Sequence, residues 1–240
     1  MVALVTGGAR GIGAAIVRRL ARDGAQVAFT YARSADAANA LAAELRTAGG
    51  KALALQGDSA DAAAIQSAVD ETARVLGRID ILVNNAGVYL PGALETFSLA
   101  DLDQTLAVNV RAVFVATQAA TRHMADGGRV VNIGSINAER VPGAGASVYA
   151  MSKAAIVGLT RGLARDLGSR GITVNNVQPG PTGTDMNPGD GPNAGGMHSM
   201  MAIQRHARAD EVAGMVAYLA GPEAGMVTGA SLSIDGGFGA

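Results

Sequence analysis

The chain has 240 residues, a length that fits one α/β domain, and 49% of them are hydrophobic while 16% are charged. This composition excludes a disordered chain and a coiled coil, and the aromatic content of 3% predicts a core of aliphatic side chains. The formal net charge of −1 leaves no basic excess to neutralise a phosphate backbone, so a nucleic-acid partner is not expected.

Short apolar runs alternate with amphipathic segments in the first half of the chain. The runs predict buried strands over Val2–Val5, Val27–Tyr31, Ala52–Leu55 and Ile79–Val83. Apolar residues at helical spacing predict helices over Ile12–Asp23, Ala35–Ala48 and Ala62–Leu76. Ser34 is a candidate cap for the second helix, and Gly49-Gly50 is a candidate end. This alternation predicts a parallel sheet with right-handed crossovers.

The second half of the chain continues the same pattern. Strands are predicted over Val130–Ile133, Ile172–Val177 and Ala230–Ile234. One or two helices are predicted over Leu102–Ala125, followed by helices over Val148–Ser169 and Asp210–Ala220. With no linker or repeat in evidence, residues 1–240 are predicted to form a single α/β domain, a doubly wound parallel sheet with helices on both faces.

One long segment interrupts this pattern. Residues 178–207 hold four of the seven prolines, several glycines and Met186, Met197, Met200 and Met201. A turn-rich stretch of this length inside a compact domain is usually functional, often a lid, and disorder is the alternative. Residues 184–207 are therefore predicted to be a mobile, apolar substrate-binding lid, with the segment 137–147 as a second determinant of specificity.

Metal and thiol chemistry are not expected. The chain has no cysteine, and its three histidines, at positions 123, 198 and 206, lack the paired spacing of a zinc helix. The N-terminus lacks the features of a signal peptide, and no charge-free stretch reaches the roughly 18 apolar residues of a membrane span. We therefore expect a soluble cytoplasmic protein with no metal site and no membrane partner.

A glycine-rich loop follows the first predicted strand and opens the first helix. It reads Thr6-Gly7-Gly8-Ala9-Arg10-Gly11-Ile12-Gly13. Glycines permit a tight turn and a close approach of the backbone, and the helix N-terminus offers free N–H groups to a pyrophosphate. A simple tight turn is the alternative. In this context the loop predicts a nucleotide site at Gly7, Arg10, Gly11, Ile12 and Gly13.

The Thr-Gly-x-x-x-Gly-x-Gly spacing resembles the loop of the short-chain dehydrogenase/reductase family, and the resemblance covers essentially the whole chain. Further segments match in order: Asn84-Asn85-Ala86-Gly87, the tetrad Asn109, Ser135, Tyr149 and Lys153, then Pro179-Gly180 and Asp235-Gly236-Gly237. The resemblance implies a Rossmann-type fold, a nicotinamide cofactor and catalysis by the tetrad. Family members usually form tetramers through the helices near 102–125 and 148–169 and the C-terminal segment, so a homo-oligomer is expected.

The spacing of Tyr149 and Lys153 agrees with this resemblance. Positions i and i+4 share one face of a helix. A free tyrosine has a pKa of about 10, and a nearby ammonium favours the phenolate, so the pair is a candidate general acid/base. The alternative is a chance surface pair. The chain has 17 Arg but only Lys51 and Lys153, so a compact ammonium at position 153 is notable.

The other two tetrad residues have weaker individual signals. Ser135 follows a buried strand at its carboxyl end, where its hydroxyl can hydrogen-bond a substrate oxygen, although a turn residue or helix cap is the alternative. Asn109 is unfavourable in the middle of a helix. The resemblance implies that it holds a water linking Lys153 to solvent, whereas an exposed or helix-bending asparagine is the alternative.

The resemblance also assigns contacts with the cofactor: Tyr149 and Lys153 would bind it as well as act in catalysis, with Lys153 hydrogen-bonding the nicotinamide ribose. Asp58 would contact the adenine amino group, although it is also a candidate N-cap of the next helix. Asn85, Ala86 and Gly87 would line the adenosine ribose, and Asn85 is equally suited to bracing the sheet. The turn residues Pro179, Gly180 and Thr182 would lie near the nicotinamide, with an ordinary strand-to-loop turn as the alternative.

The end of the second strand favours NADP(H) over NAD(H). An NAD enzyme of this fold places Asp or Glu there, but this chain has Tyr31-Ala32-Arg33-Ser34, and the first acid, Asp36, lies in the next helix. Arg33 can pair with a 2′-phosphate, Ser34 can hydrogen-bond it, and Arg10 resembles a second basic residue of NADP-preferring members. Each arginine alone is equally compatible with a solvated surface position.

The expected activity is NADPH-dependent reduction of a carbonyl substrate, or oxidation of the matching alcohol, with Tyr149 as general acid/base. The chain resembles members of the 3-oxoacyl-carrier-protein reductase type, and a small cyclic or keto-ester substrate is equally compatible. The alternative is a non-enzymatic nucleotide-binding regulator on the same fold, since fold alone does not establish activity.

Overall fold

A computed structural model describes every residue from Met1 to Ala240. Its sheet contains β1 (Val2–Val5), β2 (Gln26–Tyr31), β3 (Ala52–Gln56), β4 (Ile81–Asn84), β5 (Arg129–Ile133), β6 (Thr173–Pro179) and β7 (Ser231–Ile234). All neighbouring strands are parallel, in the order β3-β2-β1-β4-β5-β6-β7. The strand order reverses between β1 and β4, so a crevice opens at the carboxyl ends of these strands.

Eight helices connect the strands: α1 (Gly11–Arg22), α2 (Ala35–Thr47), α3 (Ala62–Leu76), α4 (Leu99–Leu106), α5 (Ala112–Ala120), α6 (Ser147–Leu167), α7 (Ala194–His198) and α8 (Ala209–Ala220). A π-helical turn, Ala107–Arg111, joins α4 to α5. The predicted fold class, a doubly wound parallel sheet covered on both faces, is confirmed. No helix is long and apolar enough to cross a membrane.

Separate hydrophobic clusters cover the two faces of the sheet. One includes Ile16 of α1, Phe29 of β2 and Val216 of α8, and the other includes Ile65 of α3 and Leu82 of β4. Successive β1 residues alternate between these clusters, which is why the strand is continuously apolar. The two layers hold the carboxyl ends of the strands, and therefore the crevice, in a fixed position.

Three predicted details differ in the structure. The fourth strand begins at Ile81 rather than Ile79, because the Ile79 N–H donates to the His123 carbonyl outside the sheet. The Ser34 hydroxyl makes no capping hydrogen bond at the start of α2, whereas Gly49, at φ 85°, follows the end of that helix as expected. The lid segment, residues 184–207, contains the short helix α7, which the sequence analysis did not predict.

Candidate active site

The glycine turn after β1 leaves no room for side chains. Gly7 and Gly11 have φ values of 64° and 54°, which favour glycine. A Cβ on Gly13 would lie 2.3 Å from the Gly7 carbonyl oxygen, and one on Gly8 would lie 2.6 Å from Phe29 Cβ. The Asn85 amide braces the turn by donating to the Thr6 and Gly7 carbonyls at 3.0 Å each.

The start of α1 fits a phosphate group. No side chain caps this helix, and its first turn contains no acidic residue. Its first N–H groups and the positive end of its dipole are therefore available to an anion. The alternative of a simple tight turn does not explain why close packing excludes a side chain at Gly13 and Gly8 while the helix end stays uncapped. These residues fit the pyrophosphate of a dinucleotide.

A cavity of about 1070 Å³ opens along the carboxyl ends of the strands. It is large enough for a dinucleotide together with a small substrate. Of the predicted site residues, the cavity is lined by Gly7, Arg10, Gly11, Ile12, Gly13, Tyr31, Arg33, Ser34, Asp58, Asn85, Ala86, Gly87, Ser135, Tyr149, Lys153, Pro179, Gly180 and Thr182. Asn109 lies just outside it, since a Cβ on Gly87 would be 3.5 Å from the Asn109 Oδ1 atom.

The glycine turn after β1 and the loops after β2 and β3 form one end of this cavity, which we call the adenosine end. Arg10 and Arg33 are exposed there, and neither guanidinium has a hydrogen-bond or ion-pair partner. The Asp58 carboxylate accepts from the Ala60 N–H at 2.9 Å. The N-cap of α3 is instead Asp61, which accepts from Ala63, so the alternative of Asp58 as that cap is wrong. Two guanidiniums with no ion-pair or hydrogen-bond partner suit a phosphate better than a ribose hydroxyl.

Ser135 and Tyr149 meet at the other end of the cavity. Ser135 follows β5, is 9% exposed, and accepts from the Asn137 N–H at 3.1 Å, so it also caps a short 3₁₀ turn. Tyr149 lies in the first turn of α6, and the Tyr89 ring meets it edge-on at 5.0 Å between centroids. Burial raises the pKa of the Tyr149 phenol, and a hydrogen bond with Ser135 acts in the opposite direction.

Lys153 is buried directly behind this pair. It is 5% exposed, its Nζ atom donates to the Ile133 carbonyl at 2.9 Å, and burial lowers its pKa to about 8. The alternative of a surface lysine is therefore wrong. The expectation that the pKa of the Tyr149 phenol is lowered overall is also wrong, because burial raises it. The ammonium is directed at a backbone carbonyl, 5.7 Å from the phenol ring centroid, and burial dominates the phenol.

Asn109 occupies the π-helical turn between α4 and α5. Its side chain is 1% exposed, accepts from the Val88 N–H at 2.9 Å, and donates to the Val88 carbonyl and the Ser152 hydroxyl, both at 3.0 Å. The alternative of an exposed asparagine is therefore wrong, whereas the helix irregularity is present. Asn109 fastens the segment after β4 to α6, and its role in holding a water stays a prediction.

Gln178 is a site residue that the sequence analysis missed. It is fully buried on β6, its Nε2 atom donates to the Ser135 carbonyl at 3.3 Å, and its Oε1 atom has no partner. In register across the sheet, Asn84 pairs with Asn132, and Asn132 with Asn176, two residues before Gln178. Three amide side chains, at positions 175, 176 and 178, in a strand buried along its whole length were the available signal.

The Pro179-Gly180 turn is held by the end of the chain. A Cβ on Gly180 would lie 2.6 Å from the Asp235 Cα atom, so the two backbones are in direct contact. Thr182 is 5% exposed and donates to the Gly180 carbonyl at 3.0 Å. The structure therefore brings the Pro-Gly and Asp-Gly-Gly motifs together beside the cavity.

This fold and site define a nicotinamide-dependent oxidoreductase scaffold, and the chain belongs to the short-chain dehydrogenase/reductase family. Residues 7–239 match a family model described as "Enoyl-(Acyl carrier protein) reductase". A short-chain dehydrogenase/reductase from Serratia marcescens is 65% identical, with a TM-score of 0.98 over 100% of this chain and 98% of that one. The expected family resemblance is thereby confirmed.

Two further relatives bear on the cofactor and the function. A short-chain dehydrogenase from Burkholderia cenocepacia, solved in complex with NADP, is 57% identical over 99% of this chain and 97% of that one, with a TM-score of 0.98. A protein of Escherichia coli (strain K12) named "Cyclic-di-GMP-binding biofilm dispersal mediator protein" is 52% identical over 99% of this chain and 96% of its own.

Proposed function

We propose that this protein is an NADP(H)-dependent carbonyl reductase that also oxidises the matching secondary alcohol. The observation that carries this proposal is that Ser135, Tyr149 and Lys153 share one cavity with the uncapped start of α1. The free guanidiniums of Arg10 and Arg33 support NADP(H), as does the NADP complex of the Burkholderia relative.

In the proposed reduction the cofactor provides the hydride, and the protein provides the proton and the hydrogen bonds to the substrate oxygen. Bound NADPH supplies the hydride that reduces the carbonyl carbon. The Ser135 hydroxyl donates a hydrogen bond to the carbonyl oxygen, and the Tyr149 hydroxyl transfers its proton there. The raised pKa of the phenol keeps it protonated at neutral pH, as reduction requires. The Lys153 ammonium, 5.7 Å from the ring centroid, stabilises the phenolate that remains.

The test is oxidation of NADPH at 340 nm with a panel of ketones, comparing wild type with Tyr149→Phe. We expect at least a hundredfold lower kcat for the variant with an unchanged Kd for NADPH, because the ring stays and the proton donor is lost. Tyr218→Phe, at an exposed tyrosine on α8, is the matched control. Equal kcat for Tyr149→Phe and wild type would contradict the assigned role of Tyr149.

A second candidate is a nucleotide-binding regulator, favoured by the name of the Escherichia coli relative. The discriminating measurement is calorimetric titration with cyclic-di-GMP, with and without saturating NADPH. Tight binding of cyclic-di-GMP together with no turnover across the ketone panel would favour the regulator. Binding with turnover would mean that the chain combines both properties.

We also propose that the protein is a homotetramer formed through α5, α6 and the C-terminal segment. Phe114 and Met151, on the first and second of these helices, are 45% and 48% exposed. Large apolar side chains on neighbouring helices are typical of surfaces that associate. Light scattering after size-exclusion chromatography tests the state directly, and a mass near 24.0 kDa would contradict the proposal.

A further inference from the structure

The part of the cavity beyond Ser135 and Tyr149, which we call the substrate end, has several apolar side chains in its walls, although uncharged polar residues such as Gln104 and Asn137 also line the cavity. The apolar side chains come from the loop after β4, the turn after Ser135, the lid segment and the C-terminal segment. Tyr89 meets Tyr149 edge-on, and Ile136, Met200 and Phe238 pack together, while Met186 and Met197 of the lid segment line the same cavity. Methionine and aromatic side chains are adaptable in shape and offer a substrate no charge.

The C-terminal segment holds one of these walls in place. Phe238 is 2% exposed and packs with Ile136 and Met201. The Arg140 guanidinium donates to the Phe238 carbonyl and lies 5.1 Å from the centroid of its ring. The nearest arginine in sequence to Ser135 is thus engaged with the protein itself, and it stabilises an apolar wall instead of offering a charge to a ligand.

No cation is free to meet a substrate at this end. The charged residues that line the whole cavity are Arg10, Arg33, Asp58, Lys153 and Asp185. The first three belong to the loops of the adenosine end. Lys153 is buried, and its ammonium donates a hydrogen bond to the Ile133 carbonyl. Asp185, in the lid segment, carries a negative charge. A substrate anion would therefore lose its hydration without gaining a counter-charge.

From this distribution we infer that the substrate is an uncharged ketone with apolar substituents, and that the site rejects oxo acids and phosphorylated ketones. This inference rests on the proposed reductase activity and narrows its substrate class. An uncompensated buried carboxylate is costly enough that we expect at least a hundredfold lower kcat/KM for an anionic ketone than for its neutral ester.

The test uses two matched pairs in which the carboxylate is remote from the reacting carbonyl, so that electrophilicity stays similar. One pair is methyl 4-acetylbenzoate and 4-acetylbenzoate, and the other is methyl levulinate and levulinate. We expect kcat/KM with NADPH at pH 7 to favour the ester at least a hundredfold in each pair that contains a substrate. Comparable values for acid and ester would overturn the inference.

A charge-introducing variant separates charge from size. Met197→Arg adds a guanidinium to the lid-segment lining of the cavity, and we expect it to raise kcat/KM for the acids relative to the esters at least tenfold. Met226→Arg, at a methionine that is 96% exposed and outside the cavity lining, is the control and leaves this ratio unchanged. An unchanged ratio for Met197→Arg would count against the inference. Failure of every ketone in the wider panel would instead refute the reductase proposal itself.

Discussion

Replacing Lys153 by methionine should separate function from stability. The side chain keeps a similar length and apolar stem but loses the ammonium that lies behind Tyr149. Without this charge the phenolate left after proton transfer is less stable, so we expect kcat at pH 7 to fall at least about a hundredfold. The fold should nevertheless be retained, because burying the ammonium destabilises the folded wild-type protein.

The size of that cost follows from the pKa of Lys153, which burial lowers from 10.5 to about 8. At 1.36 kcal/mol per pH unit, the difference amounts to about 3 kcal/mol against the charged form in the folded protein. Loss of the hydrogen bond to Ile133 offsets about 1 kcal/mol of the gain. Lys153→Met is therefore expected to raise the free energy of unfolding by about 2 kcal/mol at pH 7.

The pH dependence of the free energy of unfolding tests independently whether Lys153→Met is stabilising. Between about pH 8 and pH 10.5 the unfolded chain binds a proton at Lys153 that the folded chain does not, so this group makes wild type more stable as pH rises. The advantage of Lys153→Met should therefore be full below pH 8 and disappear towards pH 10.5.

Urea unfolding at pH 7, 8.5 and 10 measures this difference, together with steady-state kinetics at pH 7. Lys51→Met is the matched control, because Lys51 is the other lysine of the chain and is exposed. It should leave both quantities unchanged. A Lys153→Met protein that is several kcal/mol less stable than wild type, or one that keeps its activity, would refute this reasoning.

Three further outcomes are expected. Arg33→Ala should raise KM ten- to hundredfold for NADPH but not for NADH, because only NADPH carries the 2′-phosphate. Arg46→Ala is the control. Equal effects on both cofactors would show that Arg33 has a structural role. Gln178→Met should lower kcat at least about tenfold, because Ser135 loses the hydrogen bond that positions it. The free energy of unfolding should not fall, since the substitution also removes a buried oxygen that has no partner. A normal kcat would exclude a positioning role for Gln178. Burial and the neighbouring His198 lower the pKa of His206, so protonation opposes its packed state. Amide exchange in α7, corrected for intrinsic rates, should therefore accelerate relative to α3 below about pH 6.5, and a constant ratio would contradict this.

The sequence predicted those parts of the fold and site that depend on local pattern. The predicted runs overlap all seven strands, and they are clearest where a strand is almost wholly apolar, as in β1, because both of its faces are covered. The glycine loop was readable since close packing at Gly13 tolerates no side chain. The start of the fourth strand was predicted two residues too early, because Ile79 is as apolar and buried as Ile81. The Ile79 N–H nevertheless donates a hydrogen bond to the His123 carbonyl, outside the sheet.

What the sequence did not predict depends on burial and on contacts between distant segments. The pKa of Tyr149 was assigned the wrong direction because the spacing puts Lys153 on the same helix face but does not show how deeply the phenol is buried. The link from Gln178 to Ser135 joins residues 43 positions apart on neighbouring strands. The fixed Phe238 wall likewise depends on a contact between Arg140 and the end of the chain.

The π-helical turn at Ala107–Arg111 constrains how this chain can tolerate insertions and deletions. It contains one residue more than a regular α-helical turn would need. Deleting a single residue there would restore an ideal helix locally, but each residue advances an α-helix by about 100°. The shortened helix would then either turn the buried face of α5, including Ala116 and Thr117, away from the sheet or turn Asn109 away from Val88. The extra residue of the π-helical turn thus lets α5 keep its apolar face against the sheet while Asn109 still points at Val88. A regular helix through this region would satisfy only one of these two contacts.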